Sequence, residues 1–263
     1  MKRAICFMMI LCTLLSLSTL AVAKEDEIVP VGGLTLEDSR LSNEEIIQGI
    51  LDDPTISDAK KQGVLDRVNA LAALNEEDDI TPHYDPDMEY ILNIPAIMQE
   101  TSSYCAPAVA QQTLSYYGAG FDSQAYIYRN VFSNSADMYK LIAYINRNQD
   151  SNTLYRQTFS GQRELDNIIR TAYKENAPII FTVKVSSADA KDGKWPYPTG
   201  GHFTNLCGFT SDHQYLFADP YYFDRYVSDA SSNPAGEGYH YESYSNLIDA
   251  NSGYNLGYNY LAW

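Results

Sequence analysis

Ile179-Ile180-Phe181-Thr182-Val183-Lys184-Val185 is an apolar run of β-branched and aromatic residues, and it predicts a buried strand. His202 to Phe209 predicts a second strand, and Tyr215 to Asp219 a third, stopped by Pro220. Ser211-Asp212-His213 between the last two is a turn, so these form an antiparallel hairpin. Upstream the apolar spacing is helical. It predicts helices over Tyr104 to Tyr117, closed by Gly118, over Ala136 to Asn146 and over Gly161 to Glu175. Helices followed by strands predict an α+β domain. No internal repeat is present, and the tyrosine-rich tail from Tyr239 to Tyr260 is biased in composition without being of low complexity.

A second pattern precedes this domain. Ser42-Asn43-Glu44-Glu45 fits a capping box, followed at helical spacing by Ile46, Ile47, Ile50 and Leu51. Asp53-Pro54 ends that helix. Ser57 caps another, with Val64, Leu65, Val68, Leu71 and Leu74 along one stripe. A two-helix hairpin cannot bury such a stripe by itself, so it is expected to dock on the domain that follows. Glu76-Glu77-Asp78-Asp79 and the Pro/Asp-rich run to Asp87 read as a linker.

Residues 1–23 begin with Lys2 and Arg3, continue through a long apolar run and end in Ala21-Val22-Ala23. This is the pattern of a signal peptide cleaved after Ala23, and it predicts a secreted protein without a stable membrane anchor. The expected parts are therefore a signal peptide at 1–23, an acidic helical pro- or regulatory segment with its linker at 24–90, and the main domain at 91–263. Charge separates the last two. Residues 24–90 hold eighteen acidic and five basic side chains, and residues 91–263 hold sixteen and eleven. The whole chain carries −16, which argues against nucleic acid or anionic lipid as a partner.

Four cysteines are present, and two leave with the signal peptide. Cys105 and Cys207 remain, too few for a disulfide framework. Cys207 alternates inside an apolar strand and reads as a reduced core residue. By strand parity it faces away from His202. Cys105 stands at the start of a predicted helix, with Pro107 in the first turn, where its missing N–H costs nothing. Helix N-termini favour a thiolate. A cysteine nucleophile also needs a base and an oxyanion donor. Gln99, on the loop six residues earlier, is placed to supply an amide beside the Cys105 N–H. Of the four histidines, His202 follows Gly200-Gly201 and opens a strand. His83 falls in the linker, His213 in the turn and His240 in the polar tail. Asp219 ends the neighbouring strand and can stand beside His202.

These residues resemble the papain-like cysteine peptidases that process bacteriocin leaders after a double glycine, and more closely their secreted stand-alone relatives. The matching stretches are IPAIMQETSSYCAPAVAQQTLSYYG, GGHFTNLCGF and YLFADPYY, over about Ile94 to Tyr222. The resemblance implies a papain-like fold with Cys105 as nucleophile, His202 as base, Asp219 as its partner and Gln99 as the oxyanion residue. It implies a peptide or protein substrate, and neither metal nor organic cofactor. Ala106 departs from the family pattern, which has glycine there. Gly32-Gly33 resembles a double-glycine signal, but the residues before it do not fit, so the match reads as coincidence.

Trp195, Pro196, Tyr197 and Pro198 read equally as a rigid loop packed on the domain or as a wall of the substrate cleft, with Gly200 and Gly201 beside it. Three functions compete. The first is hydrolysis of peptide bonds through a Cys105 thioester, with transpeptidation or transamidation as its variant. The second is a non-catalytic binding module on the same fold, and the third a wall- or polysaccharide-binding surface protein.

Overall fold

The computed structural model describes residues 32–33, 41–76, 89–253 and 259–263. The signal-peptide pattern and the linker from Glu77 to Asp87 lie outside them. Among the described residues no helix is long and apolar enough to cross a membrane.

In chain order the elements are β1 (Gly32–Gly33), α1 (Asn43–Asp52), α2 (Asp58–Glu76), β2 (Tyr90–Ile91), α3 (Cys105–Tyr116) and the short α4 (Gln124–Tyr126), which runs into a π-helical turn over Ile127–Val131. Then come β3 (Ala136–Asp137), α5 (Met138–Asn148), β4 (Arg156–Phe159), α6 (Gln162–Lys174), β5 (Ile179–Val185) and α7 (Ser187–Lys191). The chain continues through β6 (Thr199–Phe209), β7 (Tyr215–Ala218), β8 (Tyr239–Glu242), α8 (Tyr244–Ser252) and β9 (Asn259–Ala262).

The main sheet is antiparallel, in the order β4-β9-β5-β6-β7-β8, with β2 added to β6. Strand alternation sends neighbouring residues to opposite faces. Ile180, Phe203 and Ala262 pack with α3 and α5, in the apolar cluster that holds Cys105. Phe181, Leu206 and Leu261 point the other way, towards α6 and α8. The sheet is thus covered on both faces, and α3 is pinned to β6. There the Asn205 amide donates to Gln112 Oε1 at 2.8 Å, and Thr113 Oγ1 donates to Asn205 Oδ1 at 3.2 Å.

Where β5 stops pairing, β2 takes over the β6 edge, with Tyr90 opposite Phe209 and Ile91 opposite Gly208. Gly208 has φ +144°, and a Cβ there would lie 1.6 Å from the Tyr90 carbonyl oxygen. Only glycine lets the strands meet this closely. The expected boundary between residues 90 and 91 falls inside this two-residue strand.

The N-terminal hairpin forms as its pattern predicts. Ser42 Oγ accepts from the Glu45 N–H and Glu45 Oε2 from the Ser42 N–H, closing the capping box. Ile46, Val64 and Leu71 join the core cluster on the α6 face. The dock is not purely apolar. Arg67 lies between Val64 and Leu71 and is 1% exposed. Its guanidinium is 5.0 Å from the Tyr155 ring centroid and 5.3 Å from that of Trp263, and it donates to the Thr153 carbonyl. The flat, weakly hydrated guanidinium suits burial against aromatic faces. Lys60 Nζ also reaches the Asn146 and Gln149 carbonyls, at 3.0 and 2.8 Å. Ahead of the hairpin, β1 pairs in parallel with β3, Gly32 opposite Ala136 and Gly33 opposite Asp137. It also comes within 8 Å of β6, measured between Cα atoms.

Candidate active site

Helix α3 begins at Cys105, after a loop that carries Gln99. No side chain caps it. The first bond from the helix to this end runs from the Ala108 N–H to the Tyr104 carbonyl, at 3.0 Å. The N–H groups of Cys105 and Ala106 therefore have no intrahelical acceptor and form the electropositive end of the helix. Cys105 is 2% exposed and Ala106 is fully buried.

His202 stands four residues into β6, opposite Val183 of β5. Its Nε2 lies 2.9 Å from Asp219 Oδ1, both side chains fully buried. Asp219 follows the end of β7, where its N–H donates to the Gly238 carbonyl at 2.8 Å. Because an ionised carboxylate only accepts, His202 carries its proton on Nε2 when neutral. Nδ1 is then left as the base nitrogen. It is buried and has no hydrogen-bond partner among the described residues. The Cys105 thiol stands close enough to raise the His202 pKa but outside hydrogen-bond geometry. Burial alone pushes the His202 pKa down. The Asp219 charge and hydrogen bond, then Cys105, overcome that and hold it at about 10. Burial works against the Asp219 anion as well, yet His202 and His240 hold the carboxyl well below the usual carboxylate range.

The Asp219 carboxylate is saturated. Oδ1 accepts from His202 and from the Tyr221 N–H at 2.8 Å, and Oδ2 accepts from the Tyr197 hydroxyl at 2.5 Å and from His240 Nε2 at 3.1 Å. Tyr197 and Tyr221 also flank the imidazole, with centroids 5.7 and 6.3 Å from that of His202. The Gln99 loop is tied to the same corner. Its N–H donates to the Pro220 carbonyl at 2.9 Å, and its carbonyl accepts from Tyr226 Oη at 3.0 Å. The Gln99 side chain is buried, with Nε2 donating to the Thr101 carbonyl at 2.6 Å and Oε1 without a partner among the described residues. An oxyanion role requires that amide to swing from Thr101 to the substrate.

Gly200 and Gly201 follow Thr199 at the start of β6, directly before His202. Trp195 is 1% exposed and packs edge-on against Phe217 and His240, at 5.3 and 4.8 Å. Its place fits the packed loop of the two readings, since a cleft wall needs an open face. The two thiols are not joined. Cys207 lies with Leu92, Ile94 and Ala218 in another cluster, and burial pushes its thiol up to about 12. Among the described residues no group of side chains has the arrangement of a metal site.

Two contacts of Asp219 are not read from the sequence. Tyr197 reads there as packed loop or cleft wall and not as a partner of Asp219, and His240 reads as part of the polar tail. The available signal for His240 was the alternation Tyr239-His240-Tyr241-Glu242, a strand whose inward residues are the charged pair.

The sequence model of the Peptidase C39 like family matches residues 91–248. Among solved structures, similarity extends to the peptidase domain of Streptococcus ComA, a bi-functional ABC transporter involved in a quorum-sensing pathway. The identity is 14% and the TM-score 0.40, over 65% of this chain and 97% of that one. No curated protein matches the chain.

Proposed function

The chain belongs to the Peptidase C39 like family, a cysteine peptidase family of papain-like α+β fold, and from that premise we propose that it is a secreted enzyme hydrolysing peptide bonds through a Cys105 thioester. The observation that carries the reading is His202, whose Nε2 is committed to Asp219 while Nδ1 stays unpaired on the side of Cys105. In the reaction His202 Nδ1 takes the thiol proton, and Cys105 Sγ attacks the carbonyl carbon. The Cys105 N–H and the Gln99 amide stabilise the oxyanion. His202 then protonates the leaving amine, and water, deprotonated by the same nitrogen, releases the acid. Asp219 orients the imidazole and stays ionised throughout.

Export rests on the signal pattern of residues 1–23, with cleavage after Ala23. Residues 24–88 act in this reading as a regulatory segment with two parts. The α1–α2 hairpin anchors it through Ile46, Val64, Arg67 and Leu71. β1 pairs with β3, whose Ala136 shares an apolar cluster with Cys105. Near-complete burial of the candidate nucleophile and base suits a site covered in the full chain.

The test is peptidase profiling of residues 24–263 on a diverse peptide library, beside Cys105→Ala. Cleavage that disappears in Cys105→Ala supports the reading, and undiminished cleavage by that variant ends it. Should neither protein cleave, the binding-module reading takes over, and iodoacetamide decides. A paired thiolate labels fast at mildly acidic pH, whereas an ordinary thiol labels only as the pH becomes alkaline.

A further inference from the structure

His240 of β8 presents both ring nitrogens to carboxylates. Nε2 is 3.1 Å from Asp219 Oδ2 and Nδ1 is 3.1 Å from Glu242 Oε1. A neutral imidazole has one N–H and one lone pair, so one of these contacts would set a lone pair against a carboxylate oxygen. Only the imidazolium donates at both ends. The alternative is a protonated acid. Asp219 is not available for it, because it already accepts from Tyr197, Tyr221 and His202. A proton on Glu242 Oε1 would still let Oε2 accept from Asn246 Nδ2 at 3.0 Å, and the nitrogen NMR below separates that neutral ring from the imidazolium. His240 is 1% exposed and Glu242 5%. The ring is clamped, stacked on Phe217 at 5.5 Å, with Trp195 edge-on and Tyr222 at 5.0 Å. Asp219 and Glu242 are the ionisable groups that face its nitrogens, and Tyr222 lies against the ring.

We propose that His240, held as an imidazolium between Glu242 and Asp219, is a positioning residue that fixes Oδ2 of Asp219 so that Oδ1 meets His202. The proposal rests on the peptidase reading only for its kinetic consequence. Glu242, His240, Asp219 and His202 form one buried row of alternating charge when the Cys105–His202 pair is ionised. In such a row Asp219 cannot rotate towards another donor, and each charge has an opposite neighbour, which a buried ion requires. Without His240, Oδ2 would keep the Tyr197 hydroxyl as its one partner among the described residues. The Glu242–His240 pair adds a second, charged hold on Oδ2 without adding net charge near the imidazole.

Two measurements test this on the chain 24–263. The first is nitrogen NMR of histidine-labelled protein, with His240 assigned through His240→Gln. Both ring nitrogens of His240 should report as N–H from pH 5 to 8, and one should lose its proton in that range in Glu242→Gln. A neutral His240 ring in the wild-type protein at pH 6 overturns the proposal, and does so whether or not the chain cleaves peptides.

The second is the pH profile of Cys105 alkylation by iodoacetamide, alongside kcat and KM on any peptide that is cleaved. Glu242→Gln and His240→Gln should lower the alkylation rate at pH 6 by roughly tenfold and lower kcat with little change in KM. That loss is smaller than the ~10⁴ that follows damage to an orienting carboxylate itself. His240→Gln should retain more than His240→Phe, because the glutamine amide can still donate to Asp219. Glu242→Gln keeps the side-chain volume, so one variant remains interpretable if His240→Phe fails to fold. A protonated His240 with unchanged Cys105 profiles in both glutamine variants would reduce it to a structural residue and end the positioning claim.

Discussion

His202 directs Nε2 to Asp219 at 2.9 Å and leaves Nδ1 unpaired, so the imidazole is held by one nitrogen and, in the proposed reaction, takes the proton on the other. Cys105→Ala and His202→Ala should therefore each abolish turnover almost completely. Asp219→Asn should leave more activity, since the carboxylate orients the ring and takes no part in bond making. Gln99→Ala should cost about a hundredfold in kcat with little loss of fold, as for one oxyanion donor. Steady-state rates on a single peptide, with circular dichroism of each variant, decide these outcomes.

Stability should depend on pH through the same pair. Asp219 is depressed from 3.8, so its contribution is complete above that value and is lost as pH falls towards its folded pKa. His202 is raised from 6.5 to about 10, so its contribution is complete below 6.5 and is lost as pH rises to about 10. His240 is also raised, and acts with the same sign as His202. The difference in urea midpoint between wild type and Asp219→Asn should be largest between about pH 4 and 6.5 and shrink from there to pH 10. A difference that stays constant from pH 5 to 9 would contradict the assignment.

The segment ahead of the domain is anchored by Arg67. Arg67→Ala in residues 24–263 should accelerate Cys105 alkylation by loosening that anchor. Residues 89–263, which keep β2, should show faster labelling still and the highest peptidase activity. Equal labelling rates in all three proteins assign the segment to structure alone.

Glycine-to-alanine changes should have opposite signs at two positions. At Gly208 the new methyl meets the Tyr90 carbonyl oxygen at 1.6 Å, on a backbone at φ +144°. Chemical denaturation should show a loss of about 3 kcal/mol or more, in the class of strained special-φ positions. At Gly63, within α2, an added Cβ meets nothing within 4 Å. There the same change should be neutral or stabilise by up to about 1 kcal/mol, the helix-propensity difference.

Thiol titration of denatured, unreduced residues 24–263 should find two free groups. In the native protein Cys207 should react far more slowly than Cys105, because burial holds its thiol at about 12. Finding no free thiol would remove both the core reading of Cys207 and the nucleophile reading of Cys105.

The parts legible in the sequence are those where burial and hydrophobicity agree. β5 matches the apolar run residue for residue, and β7 ends beside Asp219 as Pro220 requires. The capping box fixes the start of α1. The missed strands invert the rule. β4 buries Arg156 and Gln157, and β8 buries His240 and Glu242. Arg156, Gln157 and His240 each reach a partner distant in sequence. Arg156 donates to the Leu41 carbonyl, and Trp263 Nε1 donates to Gln157 Oε1 at 2.7 Å. Local pattern carries no trace of such partners, so β8 read as polar tail and His240 went with it. The Cys105, His202 and Asp219 placements came from residue chemistry and order, which survive without knowledge of the sheet.

The position of β9 has a consequence for how this molecule is made. Its residues come after every other strand in the chain, yet it lies between β4 and β5 and is bonded to both. Until it arrives, those two strands present open backbone edges across an empty slot, the kind of surface that recruits other chains. Closing it joins groups 106 residues apart, as in the Trp263–Gln157 bond, and long-range pairing of this sort is slow. Because β5 also pairs with β6 at the Val183–His202 register, filling the slot completes the sheet on which the imidazole stands. A chain cut short before residue 259 would leave those edges of β4 and β5 open.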